Sequence, residues 1–150
     1  IGACLANERR RTVLINGDGA FQMNIQELET IVRLQLPVKI FIWNNQGYAS
    51  IRSMQNNNFG GFQVASGESS GLSMPDTVKV AEAYGLKTFR IMNKQQLEEQ
   101  IDNVLNTEGP VLCELMISPD ETVSPRTKTI VHEDGTMESY PLEKMWPDVD

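Results

Sequence analysis

Short apolar runs alternate with segments that carry apolar residues at helical spacing along the first 117 residues of the chain. The runs are rich in β-branched or aromatic residues and predict buried strands over 12–16, 38–43, 86–92 and 111–117. Strands that alternate with amphipathic helices predict an α/β fold with a mostly parallel sheet and helices on both faces. In such a sheet, ligands bind at the carboxyl ends of the strands.

Capping signals predict where the helices begin and end. Asn24 with Glu27 three positions later predicts a capping box, and Pro37 ends the helix that follows. Asp76 and Asn93 predict the starts of two later helices. A stretch rich in Gly, Ser and Asn predicts a loop over 46–72 that holds one short helix over 48–55.

The composition changes near residue 118. Residues 118–150 hold 3 basic and 8 acidic side chains and four of the seven prolines. The whole chain has 13 basic and 20 acidic side chains, a net charge of −7. We therefore predict two parts, a compact domain over 1–117 and an extended acidic C-terminal tail over 118–150.

The composition also argues against several classes of protein. A negative net charge is atypical of a general nucleic-acid binder, and no run of 18 apolar residues is present to span a membrane. No secretory signal is visible, and Cys4 and Cys113 lie far apart in sequence. We expect a cytoplasmic protein whose thiols are reduced and buried.

Polar clusters follow directly after the first two predicted strands. Asp18 stands between Gly17 and Gly19, and Asn45 and Gly47 follow the second strand. One helix-and-strand unit separates the clusters, so both are expected at the same edge of the sheet if the two strands are close neighbours. A carboxylate, an amide oxygen and a bare backbone carbonyl suit Mg²⁺ or Ca²⁺ better than Zn²⁺.

A phosphate group fits beside this predicted metal site. Gly17 and Gly19 let a phosphate approach the backbone, and helix amides in the segment 20–25 would help to hold it. Because phosphate and Asp18 are both anionic, a divalent cation would be needed to join them. The residues therefore predict a Mg²⁺–diphosphate site.

Other interpretations of these residues stay open from spacing alone. Gly-Asp-Gly and Asn-Gly are also common turn sequences. An unrelated Mg²⁺-dependent phosphoryl-transfer or receiver domain would use Asp18 as an acceptor, but it would need further acidic residues and a lysine at neighbouring strand ends. The single histidine, His132, precedes an Asp-Gly sequence and is predicted to be a turn residue. Residues 9–11 are all arginine, but they precede the first strand and are expected at the opposite edge from Asp18.

Gly17-Asp18-Gly19, followed after residues 20–43 by Asn44-Asn45, resembles the signature of the thiamine-diphosphate-dependent enzymes. The surrounding segments are similar to the acetolactate-synthase branch of that family, over 18–28, 36–40, 75–85, 124–126 and 141–147. The resemblance covers nearly the whole chain. It implies the C-terminal diphosphate-binding domain of a chain that normally carries further domains, truncated here on its N-terminal side.

By this resemblance, Asp18 and Asn45 would bind Mg²⁺ through their side chains, and Gly47 would bind it through its carbonyl. The other residues that would contact thiamine diphosphate are Gly17, Gly19, Ala20 and Tyr48. The resemblance implies decarboxylation of a 2-oxo acid, pyruvate above all, and addition of the product to an unknown carbonyl acceptor. The family glutamate that activates the cofactor lies in another domain, so we assign no catalytic residue to this chain.

The resemblance also implies an assembly. The family forms homodimers or homotetramers through a pyrimidine-binding domain that this chain lacks, and some members hold FAD in a middle domain. The 150 residues alone are therefore expected to be inactive. An alternative is a non-catalytic thiamine-diphosphate-binding subunit of a split enzyme.

Two departures from the family pattern concern the substrate. Ala49-Ser50-Ile51 stands where valine-pathway acetolactate synthases carry Gly-Met-Val, and Met54 stands where they carry Trp. Simple pyruvate decarboxylases have a glutamate where Ile51 aligns. Without that proton donor, carboligation is favoured over release of a free aldehyde.

Overall fold

The computed structural model describes residues 1–121, 124–127 and 129–147. Its α-helices are α1 (Gly2–Ala6), α2 (Asp18–Phe21), α3 (Glu27–Arg33), α4 (Ala49–Asn58), α5 (Thr77–Ala83) and α6 (Leu97–Asn106). Its strands are β1 (Thr12–Gly17), β2 (Val38–Asn44), β3 (Lys87–Ile91), β4 (Val111–Met116), β5 (Thr129–Val131) and β6 (Met137–Ser139). Short 3₁₀ turns cover Gln22–Asn24, Glu68–Ser70 and Lys94–Gln96.

Within the described residues, the main sheet has four strands in the order β1-β2-β4-β3, and every neighbouring pair is parallel. β1 and β2 are direct neighbours, with Gly17 in register with Trp43. The carboxyl ends of these strands therefore lie side by side. This confirms the predicted α/β fold and places both polar clusters at one edge.

Two apolar cores lie on the two faces of the sheet, because alternate strand residues point to opposite sides. Val38, Ile40 and Ile42 of β2 pack in one core with helices α1 to α3 and α5. Phe41 packs in the other core with residues of α6. Cys4 belongs to the first core and Cys113 to the second, and both are free and buried as predicted.

The predicted start of α3 is wrong. The residue before α3 is Gln26, whose side chain makes no capping hydrogen bond. Asn24 instead lies in the 3₁₀ turn that continues from α2. The chain becomes helical directly after Gly17, so Asn24 has helical neighbours on its N-terminal side and is not in a cap position.

The other capping signals predict the structure well. Asp76 caps α5, and its Oδ1 accepts a hydrogen bond of 3.1 Å from the Lys79 amide. Asn93 caps the 3₁₀ turn that leads into α6, and its Oδ1 accepts from the Gln96 amide. α4 forms as predicted but extends to Asn58.

The described residues after β4 include a hairpin. β5 and β6 pair antiparallel, with Thr129 opposite Ser139. The turn between them closes through a hydrogen bond from the Gly135 amide to the His132 carbonyl, which fits the predicted turn. The division at residue 118 stays a prediction, and residues 122, 123, 128 and 148–150 of the predicted tail lie outside the described residues.

No helix in the described part of the chain is both long enough and apolar enough to cross a membrane.

Candidate functional site

Asp18 is the first residue after β1, and its side chain is buried, with 1% of its surface exposed. Its Oδ1 accepts a hydrogen bond of 2.9 Å from the Gly19 amide. Its Oδ2 accepts one of 2.8 Å from the Gly47 amide. The second bond links the carboxyl end of β1 to the loop after β2, as the sheet order allows.

The loop after β2 has an unusual backbone. Gln46 has a φ of +61° and Gly47 a φ of +136°, so two consecutive residues lie at positive φ. A Cβ on Gly47 would stand 2.5 Å from the Ser66 carbonyl oxygen. Gly47 is therefore required both by its φ and by the close approach of the opposite backbone.

Three oxygen atoms converge at this point. The amide oxygen of Asn45 lies 3.3 Å from Asp18 Oδ1 and 2.9 Å from the Gly47 carbonyl oxygen. Without a cation, the amide would be more stable turned over, with its nitrogen donating to both oxygens. With its oxygen inward, the site offers one carboxylate, one amide oxygen and one backbone carbonyl.

The spacing of these oxygens fits a small cation. Magnesium holds oxygen ligands at about 2.1 Å in an octahedron, which puts adjacent ligands about 3 Å apart. The distances of 2.9 and 3.3 Å on either side of the Asn45 oxygen match that spacing. The described residues contain no cluster of three or more His, Cys, Asp or Glu side chains arranged to hold a metal, so any ion here would depend on neutral oxygens besides Asp18.

Burial raises the pKa of Asp18 above its usual value of 3.8, and the backbone hydrogen bonds from Gly47 and Gly19 oppose that shift. The carboxylate therefore lacks full compensation for its loss of hydration. A bound cation would supply that compensation.

The glycines on either side of Asp18 have different surroundings. A Cβ on Gly19 would stand 2.5 Å from two ring carbons of Tyr48, so the ring of Tyr48 rests on Gly19. A Cβ on Gly17 would meet nothing within 4 Å. Gly17 also has a φ of −87°, which any residue adopts. The surface at Gly17 is open, as close approach of a ligand to the backbone requires.

The predicted diphosphate contacts lie together on α2. Gly19 and Ala20 are in its first turn, although the Gly19 amide already donates to Asp18 Oδ1. In the turn after α2, Gln22 Nε2 is buried without a hydrogen-bond partner among the described residues. Tyr48, directly before α4, is half-buried, and its amide donates to the Ser66 carbonyl.

Arg52, which the sequence pattern does not single out, binds the loop after β2 from its other side. Its Nη2 donates to the Asn45 carbonyl at 3.1 Å and to the Pro119 carbonyl at 2.9 Å. Its Nη1 donates to the Ser66 carbonyl at 3.2 Å. Arg52 stands in a predicted helix, where an arginine usually indicates only a solvated face.

Glu114 is a second residue of the site outside the predicted set, and the sequence signal for it is a charged residue within an apolar strand. It is 1% exposed on β4, and its carboxylate binds Asn44 and Arg90. Arg90 in turn binds Asp76. These residues line a cleft of about 450 Å³ at the carboxyl edge of the sheet, next to Gln46.

The residues that the family resemblance links to substrate choice lie on α4. Ile51 and Met54 are both partly exposed. Met54 lines a cleft of about 490 Å³ between α4 and the residues after β4. Arg126 crosses this cleft, donating to Ser53 Oγ at 2.8 Å and stacking over the Trp146 ring at 5.5 Å.

The remaining polar candidates lie away from this edge. His132 is exposed in the β5–β6 turn, 3.2 Å from Glu138 Oε2. The arginines at 9–11 are exposed before β1, and Arg11 donates to the Leu105 carbonyl. They are at the amino end of β1, opposite Asp18, as predicted.

The fold and this edge define an α/β domain whose strand ends bring one buried carboxylate and neutral oxygens together beside an open glycine. The family described as "Thiamine pyrophosphate enzyme, C-terminal TPP binding domain" matches residues 1–115. The chain belongs to this family, and the matched part is its thiamine-pyrophosphate-binding domain.

Acetolactate synthases are among its relatives. The chain is 38% identical over 125 residues to the acetolactate synthase large subunit of Pyropia yezoensis, covering 83% of this chain and 21% of that protein. It is 36% identical over 145 residues to the acetolactate synthase isozyme 2 large subunit of Escherichia coli K12, covering 97% and 25%. A probable acetolactate synthase large subunit of Methanocaldococcus jannaschii is 37% identical over 125 residues, covering 82% and 20%. The chain thus spans a fifth to a quarter of these relatives.

Proposed function

We propose that this chain holds the diphosphate of thiamine diphosphate through a Mg²⁺ ion bound by Asp18, Asn45 and Gly47. The single observation that supports the proposal best is the convergence of three oxygens from β1 and the loop after β2, at a spacing suited to an octahedral cation. The family match supports the cofactor. The set of oxygen donors supports the metal.

Charge supplies the reason for a cation. The diphosphate is anionic, Asp18 is a buried acid, and the chain has a net charge of −7. Direct contact between two anions in a buried site is unfavourable. A magnesium ion would bind Asp18 on one side and phosphate oxygens on the other, because it usually keeps coordination positions for phosphate and water.

Each residue of the site would bind or orient and would not transfer protons to substrate. Gly17 would let the diphosphate lie against the backbone at the start of α2, with Gly19 and Ala20 beside it, and Tyr48 would border the cofactor. When bound, thiamine diphosphate supplies the carbanion-stabilising group that 2-oxo acid decarboxylation and carbon–carbon bond formation need. The glutamate that activates the cofactor would come from another domain.

For the whole protein we propose a carboligase that joins a decarboxylated 2-oxo acid, pyruvate above all, to a second carbonyl. The names of the acetolactate synthase relatives support this reaction class. The enzyme would be a cytoplasmic homodimer or homotetramer, and any FAD would lie in another domain. Ile51 and Met54 would contact the substrate from α4.

A receiver or phosphoryl-transfer function is less consistent with the structure. Both oxygens of Asp18 accept backbone hydrogen bonds and the side chain is buried, which suits a fixed ligand better than an accessible nucleophile. The described residues also provide no acidic cluster around it. A split enzyme with this chain as a separate subunit would be recognised by a gene without a pyrimidine-binding domain.

Asp18→Asn tests the metal site in the complete protein. The variant removes the negative charge and one of the two acceptor oxygens. Loss of a residue that only supports a metal ligand typically weakens metal binding by about 10- to 100-fold. Because Asp18 would be a ligand itself, we expect Mg²⁺ affinity in the presence of thiamine diphosphate to fall by more than about 100-fold. Isothermal titration measures it. Asp102→Asn, an exposed change on α6, is the matched control and should bind like wild type.

Equal Mg²⁺ affinity in wild type and Asp18→Asn would refute the site. The reaction class has a separate test, analysis of the products formed from pyruvate alone and with added aldehydes or 2-oxo acids. A carboligation product supports the proposed class, and acetaldehyde as the sole product contradicts it.

A further inference from the structure

Glu114 is a buried carboxylate in an apolar strand, between Cys113 and Leu115 on β4. A buried charge is costly unless both of its oxygens have partners. Here they do. Oε2 accepts a hydrogen bond of 2.5 Å from Arg90 Nε, and Oε1 accepts one of 2.7 Å from Asn44 Nδ2.

Asn44 connects this carboxylate to the loop that carries Asn45 and Gly47. Its Nδ2 donates to Glu114, and its Oδ1 accepts a hydrogen bond of 3.0 Å from the Gln46 amide. The bond to Glu114 fixes which end of the Asn44 amide faces the loop. The side-chain oxygen of Asn44 is therefore the atom that faces the Gln46 amide.

The loop after β2 needs these hydrogen bonds because its backbone adopts an unfavourable conformation. Gln46 is not a glycine but has a φ of +61°, in the left-handed region that residues other than glycine seldom adopt. Its side chain is exposed. Gln46 joins Asn45 to Gly47, and its backbone conformation sets the direction in which the chain enters Gly47, whose amide donates to Asp18 Oδ2.

Glu114 is itself fixed by Arg90, which has a second carboxylate partner. Arg90 on β3 also donates through Nη2 to Asp76 Oδ1 at 2.9 Å, and Asp76 caps α5. A path of hydrogen bonds thus runs from α5 through β3 and β4 to the loop after β2. Arg52 holds the same loop independently, through the Asn45 carbonyl.

We propose that Glu114 is a positioning residue that acts through Asn44 to orient the oxygens of Asn45 and Gly47 toward the cation beside Asp18. The inference rests on the proposed metal site. Only a carboxylate fits, because Glu114 accepts from two donors at once. A glutamine there would offer one acceptor and would turn its NH₂ group toward either Arg90 or Asn44.

Cation selectivity distinguishes positioning from mere stabilisation of the fold. Magnesium requires near-ideal octahedral geometry at about 2.1 Å, whereas calcium accepts longer and less regular contacts of about 2.3–2.6 Å. A loosened loop should therefore lose Mg²⁺ more than Ca²⁺. A change that only lowers stability leaves the ratio of the two affinities unchanged.

The experiment is titration of the complete protein with Mg²⁺ and with Ca²⁺ in the presence of thiamine diphosphate. For Glu114→Gln we expect Mg²⁺ affinity to fall by about 10- to 100-fold, as for other residues that orient metal ligands, with a clearly smaller loss for Ca²⁺. Asn44→Ala cuts the same path at the loop and should show the same shift. The double variant should show no further change in the Mg²⁺/Ca²⁺ ratio.

Glu82→Gln is the matched control, because Glu82 joins α5 to β3 through Thr88 Oγ1 and has no bond to the loop. It should leave both affinities as in wild type. A wild-type Mg²⁺/Ca²⁺ ratio in Glu114→Gln would overturn the inference, and if that variant does not fold, the same result in Asn44→Ala would do so. Failure of the metal site itself is seen separately, as Mg²⁺-independent cofactor binding by the wild type.

Discussion

Gly17 and Gly19 flank the same aspartate, but the space that a side chain would take is empty at Gly17 and filled at Gly19. The Tyr48 ring occupies the place where a Cβ of Gly19 would stand, whereas the place beside Gly17 is open. Gly19 is therefore needed by the fold. Nothing in the described structure would obstruct a side chain at Gly17, and this open space agrees with the proposed approach of the diphosphate to its backbone.

Alanine at these two positions should produce different defects. Gly17→Ala should leave stability within about 0.5 kcal/mol of wild type but weaken thiamine diphosphate binding, because the methyl group would occupy the approach of the diphosphate. Gly19→Ala should destabilise the fold by about 1–3 kcal/mol through overpacking against Tyr48. Thermal unfolding and cofactor titration of the complete protein measure the two effects.

Gly2→Ala is the control for this pair, since a Cβ on Gly2 also meets nothing within 4 Å. It should bind cofactor like wild type. Wild-type cofactor affinity in Gly17→Ala would show that the diphosphate does not approach this glycine.

At the scale of residues, the sequence predicts which polar residues meet at the strand ends, but it does not predict the side chains that fix their positions. Asp18, Asn45 and Gly47 follow two neighbouring apolar runs, so their meeting at one edge is predictable from the order of elements. Arg52 and Glu114 act through partners that lie far away in sequence, such as Pro119 and Asn44. A charged residue in an apolar strand indicates that a partner exists without identifying it.

At the scale of elements, helix α5 is stabilised by Asp76 in two ways. Its carboxylate caps the helix through the Lys79 amide and pairs with Arg90. The Lys79 amide, with a further contribution from Arg90, lowers the pKa of Asp76 below its usual value of 3.8. The stabilisation is therefore fully present above the unfolded pKa of 3.8 and is lost as the pH falls through the lower folded pKa.

Two substitutions of Asp76 distinguish the stabilisation by its helix cap from the stabilisation by its negative charge. At neutral pH, Asp76→Ala should lower the free energy of unfolding by about 1 kcal/mol, because the cap is lost. Asp76→Asn should cost less, because asparagine also caps helices. Urea unfolding of the chain at low protein concentration measures both, and the advantage of wild type over Asp76→Asn should disappear at a pH below the folded pKa. A difference that persisted there would exclude the charge as its cause.

Element boundaries follow the strength of the local signal. β2 and β4 are continuous apolar runs between turn residues, and their predicted ends differ from the structure by one residue. The start of α3 was mispredicted, because Asn24 with Glu27 has the spacing of a capping box inside a stretch that is already helical. The local pattern of residues does not show that residues 18–24 are already helical before α3 begins.

At the scale of the whole molecule, the helices cover the sheet unevenly. α6 packs on β3 and β4, but no described helix covers the same face over β1. Val13 and Ile15 of β1 and Trp43 of β2 consequently form an exposed apolar patch on that face, with Ile15 62% exposed. β1 is also an edge strand of the described sheet, and exposed apolar edges promote association.

The isolated 150-residue chain should therefore self-associate and bind thiamine diphosphate weakly. Ile15→Lys places a charge in the centre of the patch and should shift the chain toward monomer in sedimentation velocity, at a concentration where wild type is associated. Met92→Lys is the matched control, because Met92 is similarly exposed but lies beyond β3. An equal shift toward monomer in both variants would mean that the added positive charge, and not its place in the β1–β2 patch, governs association. A wild-type chain that is monomeric and binds the cofactor tightly would contradict the prediction altogether, because it would show that this face needs no cover for the site to work.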